Sequence, residues 1–397
     1  MITRIRFSNF RSHVNSELHL RPISLLIGSV AAGKSNVFRG LLLLQSTIRS
    51  SLDELFASGF VEFQSTRSWW SEETAPIGFE VDLVGRLGED PVPVTYTLKI
   101  ADSPAGLYVL EETLSTRPPD STPEWIFQRK GMQARAMGEF GFVKPHDPTL
   151  LHSILYDFPG QSVEDSPGLR IAWSVGLTLM SFAYHHLSVP ELKAAGTGQE
   201  IDRIGYYGRG LPDLIAGYKF QESKKRTYEK IMDDMRNLLP NLTSIIVTQA
   251  QTQQRGLAMA FAGQRGSTPA IDLSDGTMLT LGLLSLIHGP SHPFLLCIEE
   301  PETGLNPRRL RWLFDRFIDL AYPRGDEPPT QVIFSTHSPW LVDLFGDMQD
   351  SVLLVEQSDG RSRVTPLTTI RREKLHQAPS PDDSIGYSWA TGVYEGL

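Results

Sequence analysis

Apolar and polar side chains alternate over residues 2–7, the period-two pattern that predicts a half-buried strand. Residues 23–27 form a short apolar run that stops at Gly28 and predicts a buried strand; the strongly apolar stretch 36–44 behind it is helix-compatible. The pattern then changes. Alternating runs within 79–84 and 92–100 predict antiparallel strands across 77–115, whereas 117–125 and 144–167, rich in Pro, Asp, Gly and Ser, predict loops. Helical patterning covers 170–187 and 211–239, the second stopped by Pro240. Strand signals return near residue 242, strands and helices alternate to about 357, and the remaining tail is polar and weakly patterned. No internal repeat and no long heptad series is present. The expected fold is α/β, with a head built from both chain ends (residues 1–50 and 268–397). Between them, 51–267 is expected to form an inserted lobe, strand-rich and then helical.

Composition narrows the class. A chain of 397 residues, 40% hydrophobic and 21% charged, is globular and long enough for two or three domains. The single cysteine, Cys297, excludes a disulfide framework or a multi-cysteine metal site, and a reducing, cytoplasmic setting is expected. No run of about 18 apolar residues occurs, so no helical membrane span is expected. The first residues lack the apolar stretch of a secretory signal. The net charge of −9 argues against a basic protein that simply coats nucleic acid. Its distribution is uneven: residues 1–50 carry seven Lys or Arg against one acid, and 51–120 carry thirteen acids against four bases.

The positive segment contains Gly28-Ser-Val-Ala-Ala-Gly33-Lys34-Ser35, a G-x-x-x-x-G-K-[ST] sequence between a predicted strand and a predicted helix. Glycines let the backbone wrap so that successive amides face phosphate oxygens, and the following helix adds its positive N-terminus. Gly28, Ser29, Ala32, Gly33, Lys34, Ser35 and Asn36 are therefore the expected ATP-binding loop, Lys34 meeting the β/γ-phosphates and Ser35 ligating Mg²⁺. The apolar run 294–298 delivers Glu299 and Glu300 to a strand end, where open α/β sheets bind ligands. Adjacent carboxylates repel unless a cation intervenes. Glu299 is the expected second Mg²⁺ ligand, and Glu300 the residue that orients or deprotonates the attacking water. A second apolar run, 332–334, leads to His337, placed to reach a γ-phosphate. Ser274, ahead of an apolar helix, reads as an N-cap, and the same geometry makes an anion-binding helix start. A second phosphate-facing helix suggests use in trans, in a homodimer with ATP held between subunits.

Together these motifs resemble the ABC-type ATPase heads of the SMC, RecF and OLD-like group, most closely the AAA_21-type ATPases. The resemblance rests on residues 5–11, 28–36, 273–277, 297–307 and 335–339. It implies an opening strand, Walker A, a signature in which Ser274 and Gly276 contact the γ-phosphate across the dimer, Walker B with a D-loop, and His337 as switch histidine. It also implies that Leu305-Asn306-Pro307 lines the dimer interface. Departures are Val30-Ala31-Ala32 in the loop, Glu299 in place of the usual Asp, and Asp275-Gly276 in the signature; Gln64 is the only candidate for a Q-loop residue. OLD proteins carry a C-terminal Toprim nuclease, but only 40 residues follow Gln357, so no nuclease is expected within this chain. Two functions remain open. One is an ATPase coupled to DNA transactions of the repair or phage-defence type, with Arg4, Arg6, Arg39, Arg49, Lys219, Lys224, Lys225 and Arg226 as candidate DNA contacts. The other is a regulatory ATPase controlling a separately encoded nuclease or toxin. A transporter subunit fits poorly, since Ser274 lies 240 residues after Lys34.

Overall fold

The alternation at the N-terminus is that of a strand with one face covered. Strands β1 (Ile2–Phe10) and β2 (His13–His19) pair antiparallel, and Ile5, Phe7, Phe10 and Leu18 are buried. The structure is a computed structural model and describes residues 1–57, 63–87, 90–104, 106–116, 124–131, 133–136, 152–156, 167–249, 254–290, 292–325, 327–373 and 384–394. Its contacts divide the chain into two units, one of residues 1–182, 348–383 and 388–397, the other of 183–347 and 384–387.

In the first unit the free edge of β1 is covered by β4 (Ile77–Leu87), with Phe7 opposite Phe79. The sheet continues through β5 (Asp90–Ser103), β6 (Gly106–Thr116), β7 (Glu124–Lys130) and β8 (Gln133–Ala136), antiparallel throughout, in the order β2-β1-β4-β5-β6-β7-β8. This sheet runs across the expected boundary at residue 50. The strand-rich part of the supposed insert extends the sheet begun by β1, because an exposed edge of backbone donors and acceptors needs a partner. Rings of Phe7, Phe10 and Phe79 pack with centroids 6.0 Å apart. Farther along the sheet, fully buried Glu112 accepts hydrogen bonds from Tyr96 and Ser153 and from the amide of Ile154, with Arg129 3.7 Å away.

The apolar run at 23–27 is β3 (Ile23–Ile27), buried at every position and paired in parallel with β15 (Val352–Ser358), whose other edge carries β16 (Arg361–Pro366). Behind β3 comes α1 (Lys34–Arg49), followed by the short helices α2 (Leu52–Ala57) and α3 (Phe63–Thr66). The helical pattern expected to 187 ends earlier: α4 (Pro167–Met180) stops, and β9 (Phe182–His185) follows with an aromatic-rich sequence that suits a strand. Of the expected loops, 117–123, 144–151 and 157–166 lie outside the described residues, while 124–125 open β7.

The second unit contains the parallel pair β13 (Leu295–Glu299) and β14 (Gln331–Ser335), both wholly buried, with β9 next to β13 on the other side. Around them are α5 (Val189–Lys193), α6 (Leu211–Phe220), α7 (Lys225–Leu238), α8 (Asp275–His288), α9 (Pro307–Ala321) and α10 (Pro339–Leu344). The single helix expected over 211–239 is thus two, separated at Gln221, whose backbone is extended. Strands β10 (Leu242–Gln249), β11 (Arg255–Phe261) and β12 (Thr268–Pro269) form a small antiparallel sheet. The tail is more ordered than its sequence suggested, with α11 (Leu367–Glu373) and α12 (Ile385–Ala390) after β16. Among the described residues no helix is long and apolar enough to cross a membrane.

Candidate functional site

The predicted phosphate loop connects β3 to α1. Its backbone takes positive φ at Gly28, Ala31 and Gly33 (147°, 64° and 110°), the left-handed conformation from which anion-binding nests are built. The two glycines are required for a second reason. A Cβ on Gly28 would lie 2.0 Å from the Val355 carbonyl oxygen, and one on Gly33 would lie 2.2 Å from Ser362 Oγ. The crest faces solvent, with Val30 81% exposed, while Lys34 beneath it is buried and donates to the carbonyls of Gly28 (2.8 Å) and Ser29 (2.9 Å). Ser35 and Asn36 open α1, and Asn36 Nδ2 donates to Ser12 Oγ at 2.9 Å.

Residues that sequence reasoning missed hold this loop from below. Ser362 Oγ donates to the Ala32 carbonyl at 2.6 Å and lies 2.8 Å from Ser12 Oγ. His13 Nε2 lies 3.0 Å from the Gly33 carbonyl and must donate to it; burial pushes the imidazole down to about 4, so the ring is neutral. No local motif marks these positions, since their partners lie far along the chain.

In the second unit β13 ends at Glu299, 7% exposed, opposite Ser335 of β14. Its Oε2 accepts from the Tyr206 hydroxyl at 3.0 Å and lies 3.2 Å from His186 Nδ1. The hydrogen bond to Glu299 raises the His186 pKa, and burial pushes the Tyr206 phenol up to about 12, so it remains a donor. Neither residue was anticipated. Glu300 has a φ of 45°, rare for a side chain other than glycine, and its amide donates to the Ser335 carbonyl at 2.9 Å. Its Oε1 is 3.9 Å from His337 Nε2, and both side chains are 37% exposed. A third carboxylate, Glu302, accepts from Thr336 Oγ1 at 2.5 Å and from the His337 amide at 3.4 Å, and burial raises its pKa.

The residues expected to form the signature also lie in the second unit. Ser274 caps α8 as expected, its Oγ accepting from the Thr277 amide at 3.3 Å. A Cβ on Gly276 would meet the Gly304 carbonyl at 2.9 Å, so this turn packs directly on the one that follows Glu300. Asn306 caps α9. The predicted residues therefore fall into two sets: Gly28 to Asn36 in the first unit, and Ser274, Gly276, Glu299, Glu300 and His337 in the second. Gln64 donates to Asp102 at 2.9 Å within the first unit.

Magnesium is usually held by one or two protein oxygens plus substrate phosphates, and the Glu299 carboxylate of the second unit and, separately, the Ser35 hydroxyl of the first are each oxygen donors of that type. Among the described residues, three or more His, Cys, Asp or Glu nowhere form a preformed metal cage. Several candidate DNA contacts are already engaged: Arg4 pairs with Glu17, Glu80 and Asp82, Lys224 with Asp202, and Lys219 donates to the Ile245 carbonyl.

Residues 203–343 match the family model AAA_21, described as "AAA domain, putative AbiEii toxin, Type IV TA system". That span contains Ser274, Gly276, Glu299, Glu300 and His337. No curated protein matches the sequence. Among solved structures, the Smc head domain from Pyrococcus furiosus, with an extended coiled coil and bound to the C-terminal domain of ScpA, is similar at 11% identity and a TM-score of 0.51. The match covers 95% of this chain and 98% of that one. The SMC head domain from Thermotoga maritima aligns at 15% identity and a TM-score of 0.44, covering 92% and 98%. Residues 203–343 are thus similar to the AAA_21 family model, and the chain shares its α/β fold with the Pyrococcus furiosus Smc head domain.

Proposed function

We propose that this chain binds and hydrolyses ATP, and that two copies close head to tail on the nucleotide to drive a DNA transaction of the repair or phage-defence type. The observation that carries the reading is the loop Gly28–Ser35. Its two glycines are fixed by the close approach of the Val355 carbonyl and of Ser362 Oγ, Gly28, Ala31 and Gly33 take positive φ, and the loop is followed by the start of a 16-residue helix. In this reading the amides and the Lys34 ammonium hold the β- and γ-phosphates. Ser35 and Glu299 are the residues assigned to Mg²⁺, which when bound offsets the charge on those phosphates. Glu300 orients the attacking water and accepts its proton, and His337 faces the γ-phosphate. Ser274 and Gly276 serve the nucleotide on the partner copy. A second reading, a regulatory ATPase acting on a separately encoded nuclease or toxin, is favoured by the toxin–antitoxin description of the family matched at 203–343.

The test is a pair of variants. Lys34→Ala is expected to lose ATP binding, measured by calorimetry. Glu300→Gln is expected to bind ATP normally, hydrolyse it at least 100-fold more slowly and accumulate as a dimer on size exclusion. Tight ATP binding by Lys34→Ala rejects the loop assignment, and normal turnover by Glu300→Gln rejects the role given to that carboxylate.

A further inference from the structure

Buried Glu299 takes its support from a segment that no motif pointed to. The loop 194–210 folds back on the end of β9: the amide of His186 donates to the Tyr206 carbonyl at 3.0 Å, and the amide of Ser188 donates to the Tyr207 carbonyl at 2.9 Å. The loop's tip, Gly205-Tyr-Tyr-Gly-Arg-Gly210, is fixed by its own backbone bonds, Gly208 to Gly205 at 2.8 Å and Gly205 to Arg209 at 2.9 Å. Gly208 has a φ of 94°, and a Cβ there would lie 2.5 Å from a Leu192 methyl, so the turn is built around a glycine. The Tyr206 ring is held between Tyr184 and Tyr207, with centroids 4.7 and 4.4 Å away. Two rigidly held donors thus meet one oxygen, Glu299 Oε2.

We infer that His186 and Tyr206 are positioning residues that clamp the Glu299 carboxylate in the orientation in which it ligates the Mg²⁺ of bound nucleotide. The inference rests on the reading of Glu299 as a metal ligand. Its physical basis is general: a carboxylate left to rotate spends part of its time misdirected, and hydrogen bonds from outside the coordination sphere fix it. The strand β9 brings one donor beside β13 directly, and the glycine-built turn brings the other.

The experiment is a titration of Mn²⁺, a spin-active substitute for Mg²⁺, into full-length protein saturated with a non-hydrolysable ATP analogue, with free Mn²⁺ counted by electron paramagnetic resonance. Tyr206→Phe removes only the hydroxyl and keeps the ring packing. His186→Ala removes the second donor, and His186→Asn returns an N–H near the position of Nδ1. Tyr206→Phe and His186→Ala are each expected to weaken Mn²⁺ binding by about 10- to 100-fold, the range typical of such outer-sphere partners. His186→Asn should recover most of the loss, and analogue affinity measured without metal should not change. Wild-type Mn²⁺ affinity in both Tyr206→Phe and His186→Ala overturns the clamp, as does failure of His186→Asn to recover any of the loss. Glu299→Gln separates the two layers. If it leaves Mn²⁺ affinity unchanged, Glu299 is not a ligand, and the inference falls with that reading. If it abolishes Mn²⁺ binding while the clamp variants do not weaken it, only the inference falls.

Discussion

His13 shows how one side chain ties the phosphate loop to acid stability. Its ring is fully buried, donates to the Gly33 carbonyl from Nε2, and is held neutral with a pKa near 4 by burial. In the unfolded chain a histidine titrates near 6.5. The folded value is therefore depressed for a base: protonation favours the unfolded chain, so stability present above about pH 6.5 is lost as the pH falls towards 4. At full extent the loss is about 3 kcal/mol. His13→Gln keeps an N–H donor at the distance of Nε2 and removes the titration. Urea unfolding at pH 7 and pH 4.5 should show a smaller acid loss in His13→Gln than in wild type. His185 titrates in the same direction in the second unit, so the comparison that decides is between proteins at matched pH. Equal losses in the two proteins would show that His13 does not limit acid stability. The sequence offered no hint of this role: the glycine loop was plain to read, whereas its support from His13, Ser12 and Ser362 depends on contacts up to 350 positions apart.

At the scale of elements, the signature helix separates a structural residue from a functional one. Ser274 caps α8, and removing the cap in Ser274→Ala should cost about 1 kcal/mol. Ser274→Asp keeps a capping oxygen and places a negative charge favourably at the helix N-terminus, so its melting temperature should match or exceed wild type. The same charge would repel a phosphate approaching from a partner copy. Ser274→Asp is thus expected to fold and bind ATP as a monomer, yet to lose hydrolysis and ATP-dependent dimerisation. Wild-type turnover would leave Ser274 as a cap and nothing more. Elements with strong periodicity or clear stops were legible in the sequence: β3 matches its apolar run, and α8 begins where Ser274 announced it. Others were not. β9 was hidden because four residues are too few to set a period against the helix before them, and the break between α6 and α7 lacks glycine or proline. The pairing that carries the sheet across residue 50 was hidden for a different reason: which edge β4 joins is decided by long-range pairing with β1, and local sequence does not encode it.

For the whole chain, charge is the lever that separates the two functional readings. The formal balance of −9 conceals a basic first segment, which includes Lys34, Arg39 and Arg49 of α1. Of the candidate DNA contacts, Arg4 is neutralised by three acids and Lys224 by Asp202. In the first unit Arg6, Arg39 and Arg49 have no acidic partner among the described residues, although Arg6 donates to Asn15 Oδ1 and Arg49 to the Met180 carbonyl, so their charge is not neutralised and three basic groups can meet phosphates. Each contact releases counterions, and the logarithm of the binding constant falls with the logarithm of salt by about 0.9 per phosphate neutralised. Three contacts predict a slope of about −2.7 for one chain, and about −5.4 for a dimer that engages both copies. The measurement is fluorescence anisotropy of labelled duplex across a salt series, using Glu300→Gln with and without ATP. Under the DNA reading the slope should steepen about twofold when ATP is added, and Arg39→Glu with Arg49→Glu should flatten it. Under the effector reading the slope stays near zero in both states, because an acidic chain without a committed phosphate-binding surface has no counterions to displace. A steep slope that ignores ATP would reject the coupling of DNA binding to the nucleotide-closed dimer while leaving the phosphate-loop assignment intact.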